Sequence, residues 1–141
     1  MDVKARYSDG VYTRKIAALN NAELNLAIAR GIARAEKYKG NWESVNINNV
    51  VDRFAPGSDP EFENGKIVFK SKDGKYAVVT DVGGGYLRIR DMTKNSAKAS
   101  YLNLDGSDGH NYVGTDGKIH GKSKSEYNKT THFRIKTREE M

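Results

Sequence analysis

There is no cysteine anywhere in the chain, and only two prolines, one tryptophan and three histidines among 141 residues. The missing thiols exclude disulfides, thiolate metal centres and cysteine nucleophiles, and fit a reducing compartment or a chain that unfolds in transit. No stretch approaches the roughly 18 apolar residues of a membrane helix, so no membrane partner is expected. The first ten residues lack the apolar segment of a signal peptide. Several motifs are absent too. There is no Walker sequence and no G-x-S-x-G, and Gly83-Gly84-Gly85 precedes no helical pattern, so it is not a dinucleotide fingerprint. The histidines stand ten and twelve residues apart, with neither H-x-H nor H-E-x-x-H. The loop from Asp105 to Gly109 lacks the closing carboxylate of a calcium site. No cofactor and no metal are expected.

What is present is positive charge, unevenly placed. The net charge is +6, yet residues 1–63 carry nine basic and nine acidic groups. Residues 64–100 carry eight and three, and residues 110–138 seven and two. A field confined to the C-terminal two-thirds points to a polyanion such as nucleic acid, or to an acidic protein. The competing reading is charge for solubility alone.

The length suits a single domain over 1–141, with a helical part (1–63) and a basic sheet part (64–141). Asn20 or Asn21 is placed to cap a helix reaching about Tyr38, with Leu24, Ile28, Ile32 and Ala35 on one face. Ser44 is placed to cap a second helix ending near Phe54, before Pro56-Gly57. Residues 58–65 read as an acidic loop. Residues 66–92 then alternate in three strands, punctuated at 71–74 and 83–85 by turns with Asp-Gly and Gly-Gly pairs, strong hairpin signals. Residues 100–105 read as a fourth strand, 106–125 as a glycine-rich loop with at most a brief hairpin, and 131–137 as the last strand. The expected class is α+β, with the N-terminal helices on one face of a twisted, mostly antiparallel sheet of about five strands.

Period-two alternation assigns the faces. Ile67, Phe69, Leu87, Ile89, Leu102, Phe133 and Ile135 point to the helices. Lys66, Lys70, Tyr86, Arg88, Arg90, His132, Arg134 and Lys136 point to the other, open face, which has almost no carboxylates in this reading. Like charges side by side on a sheet cost stability, and bound phosphate would offset that. His110, His120 and His132 lie beside this face. Two histidines with a lysine or arginine can cleave RNA without metal: one takes the 2′-hydroxyl proton, one protonates the leaving 5′-oxygen, and the cation holds the phosphorane charge. The candidate catalytic set is His132, His110, His120, Arg88 and Thr131, with Thr130 and Tyr127 as accessories. The candidate RNA-gripping set is Lys66, Lys70, Arg90, Tyr86, Arg134 and Lys136. A non-catalytic RNA-binding module and a metal-dependent DNase are the alternatives.

Three stretches carry a resemblance. Gly74-Lys75-Tyr76-Ala77-Val78-Val79-Thr80-Asp81, followed by Leu87-Arg88-Ile89-Arg90-Asp91, resembles the central hairpin of colicin-like anticodon nucleases. Thr131-His132-Phe133-Arg134-Ile135-Lys136 resembles the closing strand of toxin domains at the C-termini of bacterial polymorphic and contact-dependent growth inhibition toxins. Over residues 64–137 the chain looks like the nuclease fold shared by barnase, EndoU, colicin-type tRNases and RelE. That resemblance implies an endoribonuclease acting on tRNA, delivered as the end of a larger secreted or cell-surface protein into the cytoplasm of a target bacterium. It also implies a cognate acidic immunity protein, and leaves open a host factor. Members of this group do not share one catalytic set, so no residue role is carried over.

Overall fold

The structure is a computed structural model that describes residues 42–63, 66–81, 84–95 and 100–136. The helix expected over 20–38 lies outside the described residues, as does its packing on the sheet. Ten elements follow one another: β1 (Glu43–Val45), α1 (Ile47–Phe54), β2 (Pro60–Glu63), β3 (Lys66–Lys70), β4 (Tyr76–Asp81), β5 (Tyr86–Asp91), β6 (Asn111–Val113), β7 (Ile119–Gly121), α2 (Lys124–Thr131) and β8 (Phe133–Ile135). Six strands form one sheet in the order β1-β8-β5-β4-β3-β2, and β6-β7 is a separate hairpin. All pairings in the large sheet are antiparallel except β1 with β8. The class is α+β with a mixed sheet. No helix among the described residues is long and apolar enough to cross a membrane.

The three central strands match their sequence signals closely. Gly74 sits at φ 76°, where the missing Cβ removes the steric cost, and Asp73 accepts from Ser71 Oγ and the Lys75 N–H. Ile67, Phe69, Val78, Leu87, Ile89, Leu102, Phe133 and Ile135 form the core with Val45, Ile47, Val50 and Phe54. Ile47, Val50 and Phe54 fall at i, i+3 and i+7, so one face of α1 is apolar and lies on the sheet. Asn46, not Ser44, caps α1, its Oδ1 accepting the Asn48 N–H at 2.9 Å.

Four expectations are corrected. Residues 60–63 are an edge strand, not a loop: Phe62 alternates with Glu61 and Glu63, and acidic residues at an edge are still compatible with pairing. With β1, this means both edges of the sheet come from the part read as helical. Residues 100–105 are not a strand but hold two single bridges, Arg90 with Tyr101 and Leu102 with Asp108. The glycine-rich loop holds the brief hairpin expected of it, β6–β7, but also the start of α2, which was not expected. The last strand is cut to three residues, because residues 124–131 are helical. Here Ser123 accepts the Glu126 N–H at 3.2 Å, and the Ser-x-x-Glu capping pattern was present in the sequence. Two adjacent threonines at its end and a glycine-rich approach obscured it.

Gly109 shows how tightly the 100–110 segment and α2 meet. A Cβ there would lie 2.6 Å from the Tyr101 carbonyl oxygen and against the Thr131 methyl. Neither the backbone nor the fully buried Thr131 has room to retreat. Gly109→Ala is therefore expected to cost about 1–3 kcal/mol, read as a lower urea midpoint at unchanged slope.

Candidate nucleic-acid interface

The face of the sheet opposite α1 is assembled in rows by register. β3 pairs with β4, β4 with β5 and β5 with β8, which aligns Val68, Val79 and Arg88 in one row and Lys70, Ala77 and Arg90 in the next. Tyr86 pairs with Arg134, and one step further the same register sets Arg88 opposite His132. The expected alternation is thus correct for Lys66, Lys70, Tyr86, Arg88, Arg90, His132 and Arg134. Their exposure is not as expected. Tyr86 and His132 are only 2 % and 3 % exposed, because α2 and residues 100–110 fold over this end of the sheet and Trp42 stacks on it. This correction removes both from the solvent-facing set.

Arg88 is the centre. Its guanidinium carbon lies 3.5 Å from the Tyr101 ring centroid and 5.6 Å from that of Tyr127, and its Nη2 donates to Thr131 Oγ1 at 3.1 Å. Thr131 in turn donates to the Tyr127 carbonyl at 2.6 Å, and the Tyr101 N–H donates to the Tyr127 hydroxyl at 2.9 Å. Burial pushes the Tyr127 phenol above its usual range. Two rings and a hydroxyl therefore hold one cation in a fixed place.

His132 lies at the C-cap of α2. Its ring stacks on Trp42 with centroids 5.1 Å apart and planes at 11°, and tilts against Tyr86 at 5.1 Å. Its Nδ1 is 2.7 Å from the Asn128 carbonyl oxygen. A carbonyl can only accept, so Nδ1 carries the proton and, in the neutral ring, Nε2 carries the lone pair. Burial lowers the pKa to about 4, Arg88 and Lys66 push it the same way, and the Asn128 bond opposes them. At neutral pH the ring is uncharged.

The other two histidines do not join it. His110 meets Tyr127 edge-on at 5.1 Å, its Nδ1 2.9 Å from Asn111 Oδ1. His120 is exposed, its Nε2 3.0 Å from both Asp116 oxygens and its ring 5.7 Å from Tyr112. One ring covers Gly121 and the other covers Gly114. Those glycines belong to alternating rows of the hairpin, so the two imidazoles lie on opposite faces. His110 thus borders the Arg88 cage, and His120 faces away from it.

The basic strip also carries acid. Lys70 Nζ is 2.8 Å from Glu63 and 3.3 Å from Glu61, contacts that raise its pKa. β2 supplies both carboxylates, so the near absence of acid on this face is corrected as well. Arg134 donates from Nε to Ser44 Oγ at 2.9 Å. Lys136, just beyond β8, is half-buried, and its N–H bonds the Val45 carbonyl. Among the described residues no cluster of three histidine, aspartate or glutamate side chains converges on a point where a metal could sit.

The alternation rule did not reach Trp42, Glu63 or Asp108. Asp108 is the clamp of the loop. Oδ1 accepts the His110 and Asn111 N–H groups at 2.8 and 3.0 Å, and Oδ2 accepts from Lys94 and Asn111 Nδ2. Burial works to raise its pKa, but these bonds outweigh it and bring it to about 2. The Asp-Gly-His-Asn stretch is an Asx-turn pattern that could have revealed it. Asp108→Asn is expected to cost about 1–2 kcal/mol at neutral pH, allowing for partial exposure. The wild-type contribution should fade as pH falls from about 3.8 to about 2, read in urea midpoints against pH.

Searches against protein-family models, curated proteins and solved structures find no match for the chain.

Proposed function

We propose that the protein is an endoribonuclease that works without metal, its reaction centred on Arg88, Lys66 and His132. The observation carrying this reading is a buried imidazole of fixed tautomer set opposite Arg88 on a basic face, its protonation opposed by burial, Arg88 and Lys66. A phosphate arriving at Arg88 and Lys66 cancels the repulsion that depresses the His132 pKa. The ring then becomes a stronger base once substrate is bound. Nε2 takes the 2′-hydroxyl proton, the 2′-oxygen bonds to phosphorus, and the bond from phosphorus to the 5′-oxygen breaks. Arg88 carries the phosphorane charge. His110, at the far side of the Tyr127 ring, is assigned the return of a proton to the 5′-oxygen. His120 has no part in the reaction.

The preference for tRNA, the delivery into a target cell and the acidic immunity protein belong to the same proposal, and rest on the resemblance of residues 64–137. A basic face rimmed with lysine is a suitable surface for such an inhibitor.

Excess EDTA with total bacterial RNA provides the test. The reading expects discrete tRNA fragments ending in a 2′,3′-cyclic phosphate, and His110→Gln slowing their appearance about 10²-fold or more. RNA left intact, in buffer and in cell lysate, would overturn it. One observation favours a second reading, RNA binding without cleavage: His132 is almost wholly buried. That reading expects retention of intact RNA, weakening with salt and on loss of Arg88 or Arg90.

A further inference from the structure

The β6–β7 hairpin is separate from the large sheet. All six of its strand residues are exposed, so both of its faces meet solvent. A two-stranded ribbon with no layer beneath it is marginal in water. Val113 and Ile119 pair across one face, 71 % and 75 % exposed. Tyr112 and His120 pair across the other, their ring centroids 5.7 Å apart and their planes at 31°.

The ring face is held in place by the turn. His120 Nε2 lies 3.0 Å from both Asp116 carboxylate oxygens. The ring covers Gly114 so closely that a Cβ there would lie 2.7 Å from its Cδ2. Asp116 is fixed in turn by the Lys118 N–H at 2.9 Å, and the Gly114 N–H bonds the Lys118 carbonyl at 2.8 Å. With Nε2 committed, the two residues mainly offer π-surface: the His120 side chain is 43 % exposed and Tyr112 47 %. Around them the charge is positive. Residues 110–124 hold Lys118, Lys122 and Lys124 against the single Asp116, whose carboxylate already meets His120. Lys118, two residues before His120, shares its face by alternation. A second copy of this chain would bring the same lysines against these, like charge on like. Rings beside lysines suit instead a polyanion with unstacked bases, which lays a base on a ring and its phosphates on the cations. A duplex keeps those base faces stacked inside.

We propose that Tyr112 and His120 form a stacking platform for unpaired bases, an RNA-binding exosite outside the reaction centre. The proposal rests on the reading of the protein as an RNA enzyme, and it adds what that reading leaves open, a preference for single-stranded segments over duplex. The hairpin is rooted at the rim of the Arg88 cage: the His110 carbonyl accepts the Lys122 N–H at 2.8 Å, and the His110 ring meets Tyr127 at 5.1 Å. A strand leaving the cage past His110 therefore has the hairpin as its next neighbour. His120 holds RNA here and moves no proton.

The test uses the full chain and 2′-O-methyl RNA, which cannot be cleaved, as a single strand and as the same strand annealed to its complement. The single strand is expected to move the Tyr112 and His120 ring protons upfield saturably, the signature of a base laid on them. Tyr112→Leu and, separately, His120→Gln should each weaken its binding about tenfold, while Ile119→Thr, on the opposite face, stays within about twofold of wild type. Glutamine keeps a donor for Asp116, so the turn stays closed and only the ring is lost. Binding without ring shifts, a duplex bound as tightly as the single strand, or an Ile119→Thr loss equal to that of Tyr112→Leu would each overturn the proposal. So would ring shifts that follow protein concentration alone, which would assign the face to a second copy. None of these readouts involves cleavage: a chain that holds the strand on its rings but leaves RNA intact refutes the nuclease and keeps the platform. Cleavage with a KM untouched by Tyr112→Leu refutes only the platform.

Discussion

Replacing Arg88 with methionine is expected to slow RNA cleavage by about 10²–10³-fold, the range seen when one donor to a developing oxyanion is removed. Methionine keeps much of the volume between Tyr101 and Tyr127 but supplies neither charge nor fork. The fold should lose about 1–2 kcal/mol, from the cation–π contacts and the bond to Thr131. Thr131 is not orphaned, because its hydroxyl still donates to the Tyr127 carbonyl. The same variant should raise the His132 pKa from about 4, since one of the two cations opposing its protonation is gone. Burial, the largest cause, remains, so the value should stay below the ordinary 6.5. Arg88→Lys keeps the charge and loses the planar fork, and should fall between wild type and methionine. Single-turnover cleavage rates with urea midpoints separate chemistry from folding. A methionine variant that cleaves at the wild-type rate would remove Arg88 from the reaction.

The second large effect is a pH dependence of stability. His132 titrates near 4 in the folded chain and near 6.5 once unfolded. Between those values the unfolded state binds the extra proton, so stability rises with pH across the window. Taken from pH 6.5 down to 4, the wild type should lose about 3 kcal/mol from this group alone. Above 6.5 the ring is neutral in both states and contributes no slope. His132→Gln removes the titration, so the variant's stability should fall much less over the same window, with only a shallow decline below about pH 5 from the hydrogen-bonded carboxylates, even if its absolute value is lower. Asp108 interferes little, because most of its own loss falls below about 3.8 and only its onset reaches pH 4 to 5. Denaturant midpoints at half-unit steps from pH 4 to 7 provide the check. A wild-type slope equal to that of the variant would mean that the ring is not the buried neutral group described.

The central hairpins were legible in the sequence because two periodic signals agreed there. Alternation fixed which side chains of β3, β4 and β5 face the core, and Asp-Gly and Gly-Gly fixed where the chain turns. The same alternation placed Arg88, Arg90 and His132 on one face correctly. It could not say what covers that face. Tyr86 and His132 look exposed from their own strands and become buried through Trp42, residues 100–110 and α2, of which only α2 adjoins His132 in sequence. α2 itself was hidden by poor helix formers, although Ser123 and Glu126 marked its start. The two loop histidines were grouped by proximity in sequence, and the hairpin then put them on opposite faces. Glu61 and Glu63 were read as loop charge because a four-residue edge strand leaves too short a pattern to recognise. Local rules thus found the sheet, and contacts distant in sequence decided the site.

The central claim is that phosphate seats on Arg88 and Lys66 next to His132. The most direct measurement is the His132 pKa by NMR, in the full chain alone and saturated with a 2′-O-methyl RNA oligonucleotide that cannot be cleaved. If the claim holds, the value moves up from about 4 while staying below 6.5, because a bound phosphate offsets the two cations that add to burial in holding it down. A bound oligonucleotide that leaves the His132 pKa unchanged would contradict it, placing the RNA away from this imidazole and the chemistry elsewhere.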